Sequence, residues 1–147
     1  LAIYGISPLG KPNDNLKPVM EFKAPIILTK NIKKNTMVGY GCSYTAKDNM
    51  KIGVVQCGYG DGIPFNFSNK GHVYFKNCRI NIIGRVSMDL ITIDLTNISC
   101  DLNDWVTIWG GSTEDSRLEI VASFHKNIPY TYLTGVTNRV LREYIYE

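Results

Sequence analysis

Histidine is almost missing from this sequence, which has only His72 and His125 in 147 residues. The side chain that most often moves protons near neutral pH is therefore in short supply. The two lie far apart with no carboxylate beside either, which argues against a metal-binding or catalytic role. No run of eighteen apolar residues occurs, so a membrane-spanning helix is excluded, and the opening residues carry no signal-peptide pattern. The four cysteines, Cys42, Cys57, Cys78 and Cys100, form no CxxC pair and have no histidine at ligand spacing. That rules out a zinc pattern. A chain of this length folds without disulfides, so cysteines in apolar runs such as Val54-Val55-Gln56-Cys57 are expected to be buried free thiols, which points to a reducing, cytoplasmic compartment. An excess of charge is lacking too. The net charge of +3 is too weak and too dispersed to demand a nucleic acid or a membrane surface as partner.

What is present is the composition of one domain with a real core, 44% apolar and 20% charged. Most of it reads as short strands: Val19 to Lys30, Lys51 to Cys57, His72 to Phe75, Arg79 to Ile83, Met88 to Leu95 and Asp104 to Trp109. Pro25 suggests an edge position or a bulge in the first. In Met88 to Leu95 the residues Ile91, Ile93 and Leu95 share one face, the pattern of a strand buried on at least one side. One helix of about three turns is expected after the S-x-x-E capping box Ser116-Arg117-Leu118-Glu119, with Leu118, Val121, Ala122 and His125 on one face and Asn127 and Pro129 ending it. Tyr130 to Thr134 and Arg139 to Tyr146 read as two closing strands. The expected fold is mainly β, a closed Greek-key-like barrel of about six to eight strands with one short helix in the C-terminal half. Because Leu1 opens in what reads as a strand, a fragment of something longer is expected.

Tyrosine is abundant, with nine residues, and two of them stand between glycines, in Gly39-Tyr40-Gly41 and Gly58-Tyr59-Gly60. Glycine neighbours leave the phenol without bulky packing partners and admit positive φ, so both rings are expected to project from loops at strand ends. The second runs on into Asp61-Gly62-Ile63-Pro64, a turn suited to a pocket rim. By contrast, Tyr74, Tyr44 and Tyr144 read as packing residues. A tyrosine serves as a general base only when nearby positive charge lowers its pKa from about 10. Arg85, Arg139 and Arg142 are the candidates to supply it. A small β barrel whose tyrosines stack on bases is the competing reading, and it requires salt-dependent binding to single strands.

Taken in order, the segments Val38–Ala46 (VGYGCSYTA), Gly58–Gly62 (GYGDG), Ile83–Asp89 (IGRVSMD) and Arg139–Arg142 (RVLR) resemble the C-terminal domain of bacterial alanine racemase, and so do Leu1–Gly5 (LAIYG) and Leu16–Met20 (LKPVM). The resemblance spans residues 1–147. It implies a pyridoxal 5'-phosphate enzyme that interconverts L- and D-alanine and feeds peptidoglycan synthesis. In that family an N-terminal β/α barrel, absent from this chain, binds the cofactor through a lysine, and the β domain of the other subunit of a homodimer completes the site. By resemblance Tyr40 is the base for one face of the substrate, and the Met88 backbone N–H holds the substrate carboxylate, with Asp89 behind it. Tyr59 lines the pocket, Arg85 lies at the substrate entrance, and Tyr130 contacts the cofactor phosphate, with Tyr132 two positions on. Related proteins on the same plan racemise other amino acids or decarboxylate them. No nucleic acid, membrane or metal is implied.

Overall fold

The computed structural model describes residues 1–13, 15–111 and 113–145. Eight strands are formed: β1 Glu21–Ile32, β2 Met37–Val38, β3 Tyr44–Thr45, β4 Met50–Val55, β5 His72–Phe75, β6 Cys78–Ile83, β7 Ile91–Asp94 and β8 Trp105–Gly110. Six of them close an antiparallel barrel in the order β1-β4-β7-β6-β5-β8, while β2 and β3 make a separate two-stranded hairpin. Strands β5, β6 and β7 follow one another as neighbours, and β8 returns beside β5. That arrangement is a Greek key.

The twelve residues of β1 serve both of its neighbours. Glu21–Pro25 pair with β8 and Ile26–Ile32 with β4, with a register shift between Ile26 and Leu28. Pro25 therefore sits not on an edge but where the strand changes partners, one residue before the bulge. It has no N–H to give either neighbour, but its carbonyl still accepts from Gln56 N at 3.0 Å. The alternation expected in β7 is observed: Ile91, Ile93 and Leu95 are buried and face the barrel interior with Ile26, Val55, Val106 and Ile108. Each such side chain contributes about 1.5–3 kcal/mol on burial. A second cluster, Ile32, Val38, Ala46, Met50, Ile52 and Ile83, anchors the β2–β3 hairpin.

The C-terminal third departs from expectation. Two helices form, α1 Leu118–Phe124 and α2 Pro129–Gly135, and α1 is two turns rather than three. The Ser116–Glu119 capping box does not form. The Ser116 hydroxyl donates to Gly110 O at 2.6 Å, and Glu119 is turned inward to accept from Ser7 N at 3.0 Å and Arg117 Nη2 at 3.2 Å. The α1 helix ends where Lys126 enters the left-handed region (φ 53) and Asn127 N bonds back to Ala122 O at 2.9 Å. Pro129 is then the first residue of α2 rather than a barrier, because the first turn of a helix does not need its N–H. Tyr130 to Thr134 is thus helical, and Arg139 through Ile145 forms no strand; Tyr146 lies outside the described residues.

All four cysteines are free, but only Cys57 and Cys100 are buried; Cys42 and Cys78 are exposed. Burial pushes the Cys57 thiol far up and that of Cys100 to about 11, so neither is reactive at neutral pH. Tyr74 is buried as expected and Tyr44 packs against the second cluster, whereas Tyr144 is exposed. Among the described residues no helix is long and apolar enough to cross a membrane, and no cluster of ligating side chains could hold a metal ion.

Candidate functional site

The connection between β6 and β7, residues 84–90, is the hub on which the candidate residues meet. On one side it touches the loop between β2 and β3. Gly39 and Gly84 both take positive φ of 78°, and their backbones pack so closely that a Cβ on Gly39 would lie 2.9 Å from Arg85 N and 3.1 Å from Gly84 Cα. No other residue type suits that crossing. Gly41, also at positive φ, would place a Cβ 2.9 Å from Arg85 Nη1. The guanidinium thus lies over the loop one residue along from Tyr40, whose ring is 72% exposed. Arg85 makes no ion pair among the described residues. Of the three arginines considered for Tyr40, Arg85 is the one whose guanidinium reaches the neighbouring Gly41; Arg142 instead donates to Val136 O at 3.1 Å.

On another side the hub touches the loop after β4. Tyr59 N donates to Ser87 O and Gly60 N to Met88 O, each at 2.9 Å. Gly58 permits this approach, since a Cβ there would fall 2.3–2.4 Å from the Ser87 and Met88 carbonyl oxygens. Tyr59 is half-exposed, its ring edge-on to Phe65 at 6.4 Å. The Met88 carbonyl is thereby occupied, while the Met88 N–H donates no hydrogen bond among the described residues. Such an unused backbone donor at a loop end is available to an anionic group.

Asn69 and Ser68 stitch the hub to its surroundings. Asn69 Oδ1 accepts from Gly84 N at 2.7 Å while its Nδ2 reaches Ser43 O at 3.3 Å, and Ser68 Oγ accepts from Val86 N at 3.0 Å. Arg139 crosses the same region and pairs with both Asp61 and Asp89. Neither Asn69 nor the Arg139 bridge was anticipated from sequence. Arg139, Asp61 and Asp89 do lie inside the segments quoted above, but no spacing rule shows that two acidic residues in separate loops share one arginine.

Tyr130 lies on α2 and has no direct tie to the hub. The C-terminal end of α2 abuts the loop after β4, where a Cβ on Gly62 would meet Gly135 O at 2.5 Å. Tyr130 begins about 7 Å back along the helix from Gly135 at 1.5 Å per residue. Its ring is half-exposed. Tyr132 is the opposite case. It is buried beside Phe67, its hydroxyl has no hydrogen-bond partner among the described residues, and burial raises its pKa to about 12, with nearby Asn127 opposing the rise. Tyr132→Phe is therefore expected to leave the protein as stable as before, or to stabilise it by about 1 kcal/mol, because only an unsatisfied buried hydroxyl is removed. A urea titration showing a loss above about 1 kcal/mol would reveal a partner for that hydroxyl.

The two histidines lie away from this region. With Tyr74 and Arg79 they line a cleft of about 30 Å³ beside α1, room for a water but not for an amino acid. Burial lowers the pKa of both, for His72 with help from Arg79 and for His125 with help from His72. At neutral pH they are uncharged packing groups, and His125 stacks on Phe67 at 4.0 Å.

The family model described as "Alanine racemase, C-terminal domain" matches residues 19–144. The alanine racemase of Vesicomyosocius okutanii is 40% identical over 140 residues, covering 95% of this chain and 39% of that protein. That of Hahella chejuensis is 39% identical over 149 aligned positions, covering 99% of this chain and 39% of that protein. Among solved structures, the alanine racemase of Bartonella henselae, described with covalently bound pyridoxal phosphate, superposes with a TM-score of 0.90 at 34% identity over 98% of this chain and 40% of that one. The enzyme of the D-cycloserine producer Streptomyces lavendulae gives a TM-score of 0.90 at 31% identity, over 99% of this chain and 39% of that one. The chain thus spans about two-fifths of the length of the relatives it matches.

Proposed function

The chain belongs to the alanine racemase C-terminal domain family, and from that membership we propose that residues 1–147 form the β domain of a pyridoxal-phosphate-dependent racemase acting on alanine. The observation that carries the reading is the convergence of the Tyr40 loop, the Tyr59 loop and the unused Met88 N–H on residues 84–90. One backbone donor suits a substrate carboxylate, one exposed phenol suits proton transfer, and a second phenol forms a wall.

In this reading Tyr40 removes or returns the α-proton on one face of the substrate. Arg85, whose guanidinium lies over the adjacent Gly41, presents positive charge that attracts the substrate carboxylate. Met88 N–H orients the carboxylate, and Tyr59 limits the space beside it. When bound, pyridoxal phosphate supplies the electron sink that makes an amino-acid α-proton removable near neutral pH. The residues of this chain fit one contact to it: the Tyr130 hydroxyl, half-exposed, can donate to a phosphate oxygen. Burial argues against Tyr132 in that role. The lysine that holds the cofactor and works the opposite face is assigned to a β/α barrel outside this chain. Pairing a barrel from one subunit with a β domain from the other in a homodimer puts the two proton-transfer groups on opposite sides. The enzyme is assigned to the cytoplasm, where its D-alanine would supply peptidoglycan synthesis.

The full-length protein loaded with pyridoxal phosphate is expected to convert either alanine isomer to the racemate in D2O with deuterium entering the α position, followed by proton NMR and chiral chromatography. Residues 1–147 alone are expected to show neither that activity nor a cofactor absorbance that survives dialysis. Full-length protein that leaves both isomers untouched while acting on another amino acid would move the assignment to a related racemase.

A further inference from the structure

Arg139 occupies an unusual position. Its Nε faces Asp61 Oδ1 at 3.4 Å and its Nη2 pairs with Asp89 Oδ1, so one guanidinium spans the loop after β4 and the connection between β6 and β7. The other oxygen of Asp61 already accepts from Gly58 N at 2.9 Å. That carboxylate is therefore held at one end by its own loop and at the other by the arginine. The segment carrying Arg139 is docked on the same loop, with Thr137 Oγ1 donating to Gly60 O at 2.8 Å and Thr137 N to Asp61 O at 3.3 Å. Gly60 leaves the space the guanidinium fills, for a Cβ there would lie 2.2 Å from Nη1.

We propose that Arg139 is a positioning residue that clamps the Tyr59 loop to the Met88–Asp89 segment and so sets the gap between the Tyr59 ring and the Met88 N–H. Two backbone bonds, Tyr59 N to Ser87 O and Gly60 N to Met88 O, already join these segments, but both loops are solvent-facing and a pair of such bonds opens readily. A planar fork reaching two carboxylates at once restricts that opening in a way a flexible ammonium cannot. Because the Met88 N–H is assigned to the substrate carboxylate, the inference rests on the function proposed above. Loosening the clamp then weakens binding of both isomers alike and leaves Tyr40 in place.

The test uses the full-length protein with Arg139→Ala, Arg139→Lys and Asp89→Asn, reading amide hydrogen exchange of residues 58–62 and 87–90 beside KM and kcat for each isomer. In Arg139→Ala exchange in both segments is expected to rise about tenfold while the barrel strands stay unchanged. KM is expected to rise about tenfold for both isomers, with kcat changed less than about threefold. Arg139→Lys, which can reach only one carboxylate, should fall between wild type and Arg139→Ala. Asp89→Asn, which removes one arm and keeps the other, should do the same and serves if Arg139→Ala does not fold. Unchanged exchange in these segments overturns the clamp. Raised exchange with unchanged KM overturns the positioning role and leaves Arg139 as a stabilising contact only. If the wild-type protein does not racemise alanine, the functional reading fails, and the exchange measurement still decides whether the clamp exists.

Discussion

Tyr40→Phe in the full-length protein is expected to slow α-proton exchange of L-alanine by about 10²–10⁴-fold, the range associated with loss of a positioned acid–base group, and to slow exchange of D-alanine far less. The asymmetry follows from having one proton-transfer group on each face of the substrate. Removing the phenol leaves the opposite group able to take the proton from one isomer, but removes the only group that faces the other. The substitution takes one oxygen from a ring that is 72% exposed and makes no hydrogen bond among the described residues. Its effect on stability is expected to stay within about 0.5 kcal/mol, as for other surface changes. Loss of activity with an unchanged melting temperature is therefore the expected signature. Exchange in D2O followed by proton NMR for each isomer separately decides the matter, and equal losses for both would remove Tyr40 from the role of one-sided base.

The largest expected effect on stability comes from Glu119→Ala. Glu119 is 2% exposed, and its Oε1 accepts from Ser7 N and from Arg117 Nη2. Arg117 also donates to Leu16 O at 3.1 Å. The carboxylate thus fastens both α1 and the segment before β1 to one buried point. Truncating one partner of a buried ion pair strands the other, at a cost of about 3–5 kcal/mol. The pair is not ideal even in the native protein, since Glu119 Oε2 and Arg117 Nε are buried with no partner among the described residues. Burial by itself would raise the Glu119 pKa, but the Ser7 N–H and Arg117 outweigh it and hold the carboxyl below its ordinary value. A depressed carboxyl pKa contributes stability that is fully present above the unfolded value of about 4.3 and is lost as pH falls through the folded one. Melting temperatures measured from pH 7 down to 3 should therefore decline below about pH 5 in the wild type. In Glu119→Ala that decline should be weaker and should start from a lower plateau. Urea denaturation showing a loss under about 1 kcal/mol would mean that this pair does not tie the two segments together.

Both expectations draw on features that differ in how far sequence alone reveals them. The exposure of Tyr40 was legible because glycine on either side of an aromatic residue is a local signal with a local cause. Glu119 was misassigned for the complementary reason. The S-x-x-E pattern from Ser116 is locally consistent with a cap, but the Gly110 carbonyl and the Ser7 N–H, both distant in sequence, claim the two side chains instead. The stretch Tyr130 to Thr134 failed similarly. Its β-favouring residues describe a strand in isolation, whereas burial of Tyr132 against Phe67 and the start supplied by Pro129 make it a helix. Weak intrinsic propensities yield to packing of that kind.

Alternating burial in Ile91, Ile93 and Leu95 and the exposure of the glycine-flanked tyrosines were determined by sequence alone, because each depends on residues within a few positions of one another. The approximate positions of the six barrel strands, and the inward face of β7, follow from such patterns. Closure of the barrel, the partner change in β1 and the meeting of Tyr40, Tyr59 and Met88 on residues 84–90 were decided only in three dimensions. So was the span of Arg139 from Asp61 to Asp89. These rest on close backbone crossings, Gly39 on Gly84 and Gly58 on the Ser87 and Met88 carbonyls, between segments whose separation along the chain carries no trace of their contact.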